Sequence, residues 1–262
     1  MNDYQQIKKI AAEWLKEAGS LIKQSFDSIL DINTKADPND LVTNMDTAIE
    51  QFFREKITET FPTHRILGEE GSGHDLDNLN GTVWIIDPID GTMNFVHQQR
   101  NFAISIGIIE EGIGRVGLIY DVVHDELYHC IKGEGAYIND RRIPPLREVP
   151  LNQAIIGLNA IWLTENKKID RRKTANLVKD VRGTRSYGSA AIEMAYVATG
   201  RMNLYISMRL APWDFAGGTI IIEELGGKVT DLEGNPVHYL KKSSLLAASP
   251  MLHKYVLDHY LK

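Results

Sequence analysis

The segment Val83-Trp-Ile-Ile-Asp-Pro-Ile-Asp-Gly-Thr92 constrains the chain more than any other. Residues 83–86 are apolar and β-prone, which predicts a buried strand. That strand is expected to end at Asp87, because Pro88 has no N–H and a fixed φ, so it stops ladder pairing and turns the chain. Asp90 follows three residues after Asp87, a spacing that can bring both carboxylates to one side of a tight turn. Gly91 and Thr92 then offer backbone N–H groups where a helix could begin, a natural seat for phosphate oxygens. Two carboxylates about 4 Å apart repel by roughly 4 kcal/mol at an effective dielectric near 20. A hard divalent cation such as Mg2+ takes oxygen ligands, keeps waters and binds substrate phosphate directly, so it would relieve that repulsion. The plainer alternative is a capped strand-to-helix turn with Asp90 as the N-cap.

Apolar residues recur every three to four positions over 4–26 and again over 44–59, which predicts two amphipathic helices. Between them, residues 31–43 are polar and irregular, with Asp37-Pro38 marking a turn. Short strand-like runs follow at 65–67 and 83–86. Residues 102–109 alternate, with Phe102, Ile104, Ile106 and Ile108 on one face, and runs at 116–120 and 126–131 complete an antiparallel meander. The rhythm changes near 142–150, which holds three prolines. Beyond it, strands are expected at 154–158, 202–206, 228–230 and 244–248, and helices at 165–179, 189–199, 213–225 and 251–261. The chain therefore reads as an N-terminal α+β unit, 1–145, and a C-terminal α/β unit, 146–262, packed tightly as one body.

Composition narrows the function classes. With 29 Lys+Arg against 35 Asp+Glu, the formal charge of −6 lacks the basic excess of a general nucleic-acid binder, so no nucleic-acid partner is expected. One cysteine forms no internal disulfide, and no apolar run approaches the roughly 20 residues of a membrane span. The amino terminus shows no signal-peptide pattern, so a cytoplasmic protein without a membrane partner is expected.

Two further acidic segments flank the first. Gly68-Glu69-Glu70-Gly71 follows a strand-like run, and Pro212-Trp213-Asp214-Phe215-Ala216-Gly217-Gly218 places an aspartate in the first turn of an apolar helix. Singly, Asp214 reads as a partner of the helix dipole and the glutamates as loop charges. Together, WIIDPIDGTMNF at 84–95, GEEG ahead of it and WDFAGG near the carboxyl end resemble the inositol monophosphatase family, the Mg2+-dependent, lithium-sensitive branch of the sugar phosphatase superfamily. The resemblance runs in order from about residue 41 to about residue 227.

The resemblance implies a mixed α+β or α/β fold, a layered αβαβα sandwich with an antiparallel first sheet and a mixed second sheet. It also implies residue roles. Glu69, Asp87, the carbonyl of Ile89, Asp90 and Asp214 would hold two to three Mg2+ ions, with Asp87 bridging two of them. Asp46 would hydrogen-bond Thr92, and Thr92 with Glu69 would orient the attacking metal-activated water. Gly91 and Thr92 would bind phosphate, and Asp90 would also assist the departing alkoxide. Gly188, Ser189 and Ala190 match a segment that contacts the sugar, near Asp90 and Asp214, and Lys35 matches a lysine in a loop near the site. The implied activity is hydrolysis of inositol 1-phosphate-type monoesters by a homodimer, without a covalent enzyme intermediate.

Competing readings separate on particular residues. Haloacid-dehalogenase-type phosphatases use Asp-x-Asp-Gly-Thr with the first aspartate as nucleophile; here that position is Pro88, which cannot attack. Some bacterial members of the resembled family act in transcription complexes, but no basic patch supports that role here. Animal members carry a sugar-contacting glutamate seven residues before the helix aspartate. Ser207 stands there, followed by Met208-Arg209, a change that would relax polyol preference and admit more anionic substrates such as fructose-1,6-bisphosphate, NADP or 3'-phosphoadenosine nucleotides, unless Arg209 simply pairs with a surface acid. His97, Cys130 and the cationic run 167–173 read as structural or solvated groups.

Overall fold

The computed structural model describes residues 3–27, 31–34, 41–74 and 76–261. Helix α1 (Asp3–Gln24) buries Ile7, Ala11, Trp14, Leu15, Ala18 and Ile22 along one stripe. Residues 31–43, expected to be irregular, instead contain two short antiparallel strands, β1 (Ile32–Thr34) and β2 (Leu41–Thr43). Helix α2 (Asn44–Thr60) starts from a capping box: the Met45 N–H donates to Thr43 Oγ1 at 3.1 Å, and Asp46 Oδ2 accepts the Thr43 N–H at 2.8 Å.

The first large sheet is built from β3 (Arg65–Gly68), β4 (Thr82–Asp90), β5 (Ala103–Glu110), β6 (Ile113–Asp121), β7 (Glu126–Ile131), β8 (Gly135–Ile138) and β9 (Arg141–Arg142), in that spatial order. Its pairings are antiparallel except at the edge, where β3 runs parallel to β4. A short helix, α3 (Thr92–Gln98), leaves the end of β4. The second sheet holds β10 (Ile155–Leu158), β11 (Gly183–Arg185), β12 (Leu204–Leu210), β13 (Lys228–Thr230) and β14 (Ser243–Ala248), ordered β11-β10-β12-β14-β13. Parallel pairs β10–β11 and β10–β12 meet antiparallel pairs β12–β14 and β13–β14, so this sheet is mixed. The intervening helices are α4 (Arg171–Asp180), α5 (Ala190–Ala198), α6 (Pro212–Glu224) and α7 (Pro250–Val256).

Three apolar cores define the layers. Helices α1 and α2 cover one face of the first sheet, where Phe102, Ile104, Ile106 and Ile108 meet Trp14, Phe53 and Ile57. Helices α5 and α6 lie between the sheets, and α4 and α7 cover the outer face of the second. The αβαβα order expected above is the order found.

The contact of α6 with the first sheet is made by glycines. A Cβ on Gly107 would lie 2.7 Å from the Cβ of Ala216, and one on Gly117 would lie 2.5 Å from the Gly217 carbonyl oxygen. A Cβ on Gly217 would meet the Ile106 and Leu118 carbonyl oxygens at 2.9 and 3.0 Å. Of the two glycines of WDFAGG, Gly217 therefore serves close approach of backbone to backbone and seats α6 on the first sheet, while Gly218 leaves room for the Met194 side chain of α5.

Several expected boundaries differ, among them the strand expected over 202–206, found at Leu204–Leu210. β4 does not end at Asp87: it runs to Asp90 through a bulge, with Asp87 opposite Ser105, Asp90 opposite Ala103, and Pro88 and Ile89 facing Ile104 alone. Proline is tolerated there because the bulge already breaks the ladder. The helix expected over 165–179 is confined to α4, because the Asn166 side chain accepts the N–H groups of Lys168 and Ile169 and Asp170 caps the helix start.

Candidate active site

The bulge in β4 is what converges the two aspartates. It turns Asp87 and Asp90 to the same side, and α6 brings Asp214 against them. One carboxylate oxygen from each of the three lies within 4.8 Å of the others. Asp87 is 1% exposed and Asp90 8%, while Asp214 is half-buried. Glu69, just past the end of β3, comes within hydrogen-bonding reach of Asp87, and so does Asp214. The four acids singled out in the sequence thus occupy one place.

Their protonation reports the strain of that arrangement. Burial, then the charges of Glu69, Asp90 and Asp214, push the Asp87 carboxyl far above the usual carboxylate range. Burial, then Asp90 and Glu69, do the same to Asp214. Burial raises Asp90 to about 6, opposed by hydrogen bonds from the Ser189 hydroxyl and the Ala191 and Ala190 N–H groups. The charged groups that act most strongly on Asp87 and Asp214 are themselves acids. Buried, converging and unneutralised oxygen donors of this kind fit a hard divalent cation.

Around the acids, the supporting contacts are specific. Thr92 Oγ1 lies 3.0 Å from Asp46 Oδ1 and 3.1 Å from the Ile89 carbonyl oxygen. The second Asp46 oxygen accepts both the Thr43 N–H at 2.8 Å and the Thr43 hydroxyl at 2.6 Å, which fixes the carboxylate in place. Gly91, not Asp90, occupies the N-cap of α3, with φ 95°, so the capped-turn alternative fails. A Cβ at Gly91 would press on Ser189 Cβ and the Asn101 and Gly188 carbonyl oxygens, each at 3.2 Å.

Ser189 and Ala190 are buried at the start of α5. The Ser189 hydroxyl and the Ala191 N–H, the latter at 2.6 Å, donate to Asp90 Oδ2. This segment thus holds an acid as well as bordering the site. Gly188, with φ 77°, is exposed beside it. Ser207 is buried on β12, its hydroxyl 3.3 Å from the Arg209 carbonyl oxygen, and Arg209 points to solvent. Lys35 lies outside the described residues.

Three contributors were not singled out in the sequence. Glu50 on α2 accepts backbone N–H groups of the loop that carries Glu69. Asn94 ties α3 to the Asn101 and Tyr187 carbonyl oxygens at 2.7 and 2.6 Å. Glu193 holds the Tyr187 N–H at 2.7 Å, and burial raises its carboxyl to about 7. Glu50 had a legible signal: an acid one turn after Asp46 on a face otherwise lined by Ile49, Phe53 and Ile57.

A family model described as the inositol monophosphatase family matches residues 3–261. The chain belongs to that family. It is 58% identical over 261 residues to an inositol-1-monophosphatase of Bacillus subtilis, covering 100% of this chain and 98% of that one. A crystal structure of SaIMPase-II with 2'AMP bound is 46% identical with TM-score 0.90, covering 98% of this chain and 94% of its own. An IMPase/NADP phosphatase complexed with Mg2+ and phosphate is 32% identical with TM-score 0.91, covering 98% and 95%. As a member of the inositol monophosphatase family, the chain is a phosphatase, a hydrolase of phosphoric monoesters. No described helix is long and apolar enough to cross a membrane.

Proposed function

We propose that this phosphatase hydrolyses inositol 1-phosphate-type polyol monophosphates with Mg2+ as its cation, and that Glu69, Asp87, the Ile89 carbonyl, Asp90 and Asp214 hold two to three ions. The observation that carries the reading is the meeting of Asp87, Asp90 and Asp214 oxygens within 4.8 Å, where the charges acting most strongly on Asp87 and Asp214 are those of other acids. Bound Mg2+ supplies the positive charge that offsets phosphoryl oxygens and acidifies water. The chain's own groups do the rest. Thr92, backed by Asp46, and Glu69 orient a water toward phosphorus, and Thr92 can pass a proton to Asp46 Oδ1 at 3.0 Å. The Gly91 and Thr92 N–H groups face the phosphoryl oxygens, and Asp90 lies on the side of the leaving alkoxide. Gly188, Ser189 and Ala190 border the sugar. The homodimeric state expected above rests on family resemblance, and the cytoplasmic location on the sequence features given with it.

Substrate breadth is part of the proposal. Ser207 in place of a family glutamate removes a carboxylate that would repel a second phosphate, and Arg209 adds a cation nearby. Relatives crystallised with 2'AMP and with NADP support measurable action on nucleotide monoesters, and a fructose-1,6-bisphosphatase/inositol-1-monophosphatase of Thermotoga maritima supports action on fructose-1,6-bisphosphate. A phosphate-release panel with Mg2+ and with chelator tests the reading. Release from inositol 1-phosphate should require Mg2+ and vanish in Asp90→Asn. Release from inositol phosphates alone would remove the inference from Ser207 and Arg209.

A further inference from the structure

Helix α2 serves the site twice. Asp46 and Glu50 are four residues apart and share its buried face. Asp46 reaches Thr92, whereas Glu50, only 5% exposed, turns to the loop after β3. There Glu50 Oε2 accepts the Glu70 N–H at 2.6 Å and Oε1 accepts the Ser72 N–H at 3.0 Å. The loop closes on itself through the Gly68 N–H, which donates to the Ser72 carbonyl oxygen at 2.8 Å. A Cβ on Gly68 would lie 2.3 Å from Glu50 Oε2, so glycine is what lets the carboxylate reach. The His74 ring, 2.8 Å from the Gly68 carbonyl oxygen through Nε2, stacks on Trp213 beside Asp214.

A buried carboxylate with each oxygen bound to a backbone N–H of one loop fixes that loop far more firmly than neutral contacts do. Glu69 immediately precedes the pinned Glu70, inside the loop that the Gly68–Ser72 bond closes. We propose that Glu50 is a positioning residue for the cation site, holding residues 68–72 so that the Glu69 carboxylate meets Asp87. The inference rests on the reading above that Glu69 belongs to the acids that bind Mg2+.

Titration calorimetry of the full chain with Mg2+ alone tests it, in a cycle of wild type, Glu50→Gln, Glu69→Gln and the double variant. Glutamine presents one oxygen and one N–H donor where two acceptors are needed, so Glu50→Gln should weaken Mg2+ binding about ten- to a hundredfold. In turnover, kcat should fall while KM stays within about threefold. The decisive result is non-additivity: once Glu69 is glutamine, Glu50→Gln should cost nothing further, because a clamp acts only through the group it holds. Loss of a distant negative charge would instead weaken Mg2+ equally in both backgrounds, and that result overturns the proposal. So does wild-type Mg2+ affinity in Glu50→Gln while Glu69→Gln is impaired. Absence of Mg2+ uptake by the wild type overturns the underlying reading together with this one. Glu50→Asp, which keeps the charge but falls a methylene short, carries the same cycle if the glutamine variant does not fold.

Discussion

Asp46 and Asp214 stand in the same local setting and serve different ends. Each is the third residue of its helix, and each accepts the N–H of the residue before that helix at 2.8 Å. At α2, Thr43 reciprocates with its side chain, and the free oxygen of Asp46 meets the Thr92 hydroxyl. At α6, Ala211 has no side chain to reciprocate, and Asp214 faces Asp87 and Asp90. Donors surround one carboxylate and acids surround the other. Local backbone position therefore supplies the aspartate, while the rest of the fold decides whether it meets donors or other acids.

Exchanging each for asparagine should separate the two most sharply. Asp214→Asn removes an acid of the cluster and should lower kcat/KM by about a thousandfold or more. Without metal, however, its melting temperature should equal or exceed that of the wild type, since a repulsion has gone. Asp46→Asn should cost about ten- to a hundredfold in kcat, acting through Thr92, and should destabilise by about 1.5–3 kcal/mol through its lost charged hydrogen bonds. Calorimetric melting beside steady-state kinetics checks both. If Asp214→Asn melts well below Asp46→Asn, the contrast is wrong.

The same comparison has a pH signature. The folded-state values of Asp87, Asp90 and Asp214 lie above those of an unfolded aspartate near 3.8, with Asp90 at about 6. The folded chain then binds more protons than the unfolded chain from about pH 4 to beyond 6, so metal-free stability falls as pH rises through that window. Mg2+ reverses the trend, because it binds the ionised acids. The rise in melting temperature produced by Mg2+ should be several degrees at pH 7.5 and much smaller at pH 5. Asp214→Asn should flatten the metal-free slope; Asp46→Asn should leave it in place.

The smallest expected effect concerns the seat of α6. Gly107→Ala inserts a methyl group 2.7 Å from Ala216 Cβ and should destabilise by about 1–3 kcal/mol. It should also weaken Mg2+ binding, since Asp214 rides on the displaced helix start. Destabilisation with unchanged Mg2+ affinity would show that Asp214 tolerates the shift.

Much of this was legible in the residues. Apolar runs bounded by Gly, Pro and Asp marked most strands, and three acidic motifs marked the site. Elsewhere, tertiary context overrode local signals. Pro88 reads as a strand end, yet a bulge keeps β4 paired to Asp90. Charges at 165–170 imitate a helix face, but that stretch buries little apolar surface, and Asn166 captures the backbone N–H groups. The hold of the Ser189 hydroxyl on Asp90 joins residues 99 apart in the chain and had no local signal. Glu50 stands out on an apolar helix face, but its loop partners, twenty and twenty-two residues away, had no signal in the sequence.

The glycine seam under α6 carries an evolutionary consequence. With no side chains at Gly107, Gly117 and Gly217, nothing there remains to be trimmed, and any enlargement meets main chain. Variation is thus shut out of this seam in both directions and has to fall elsewhere in the molecule.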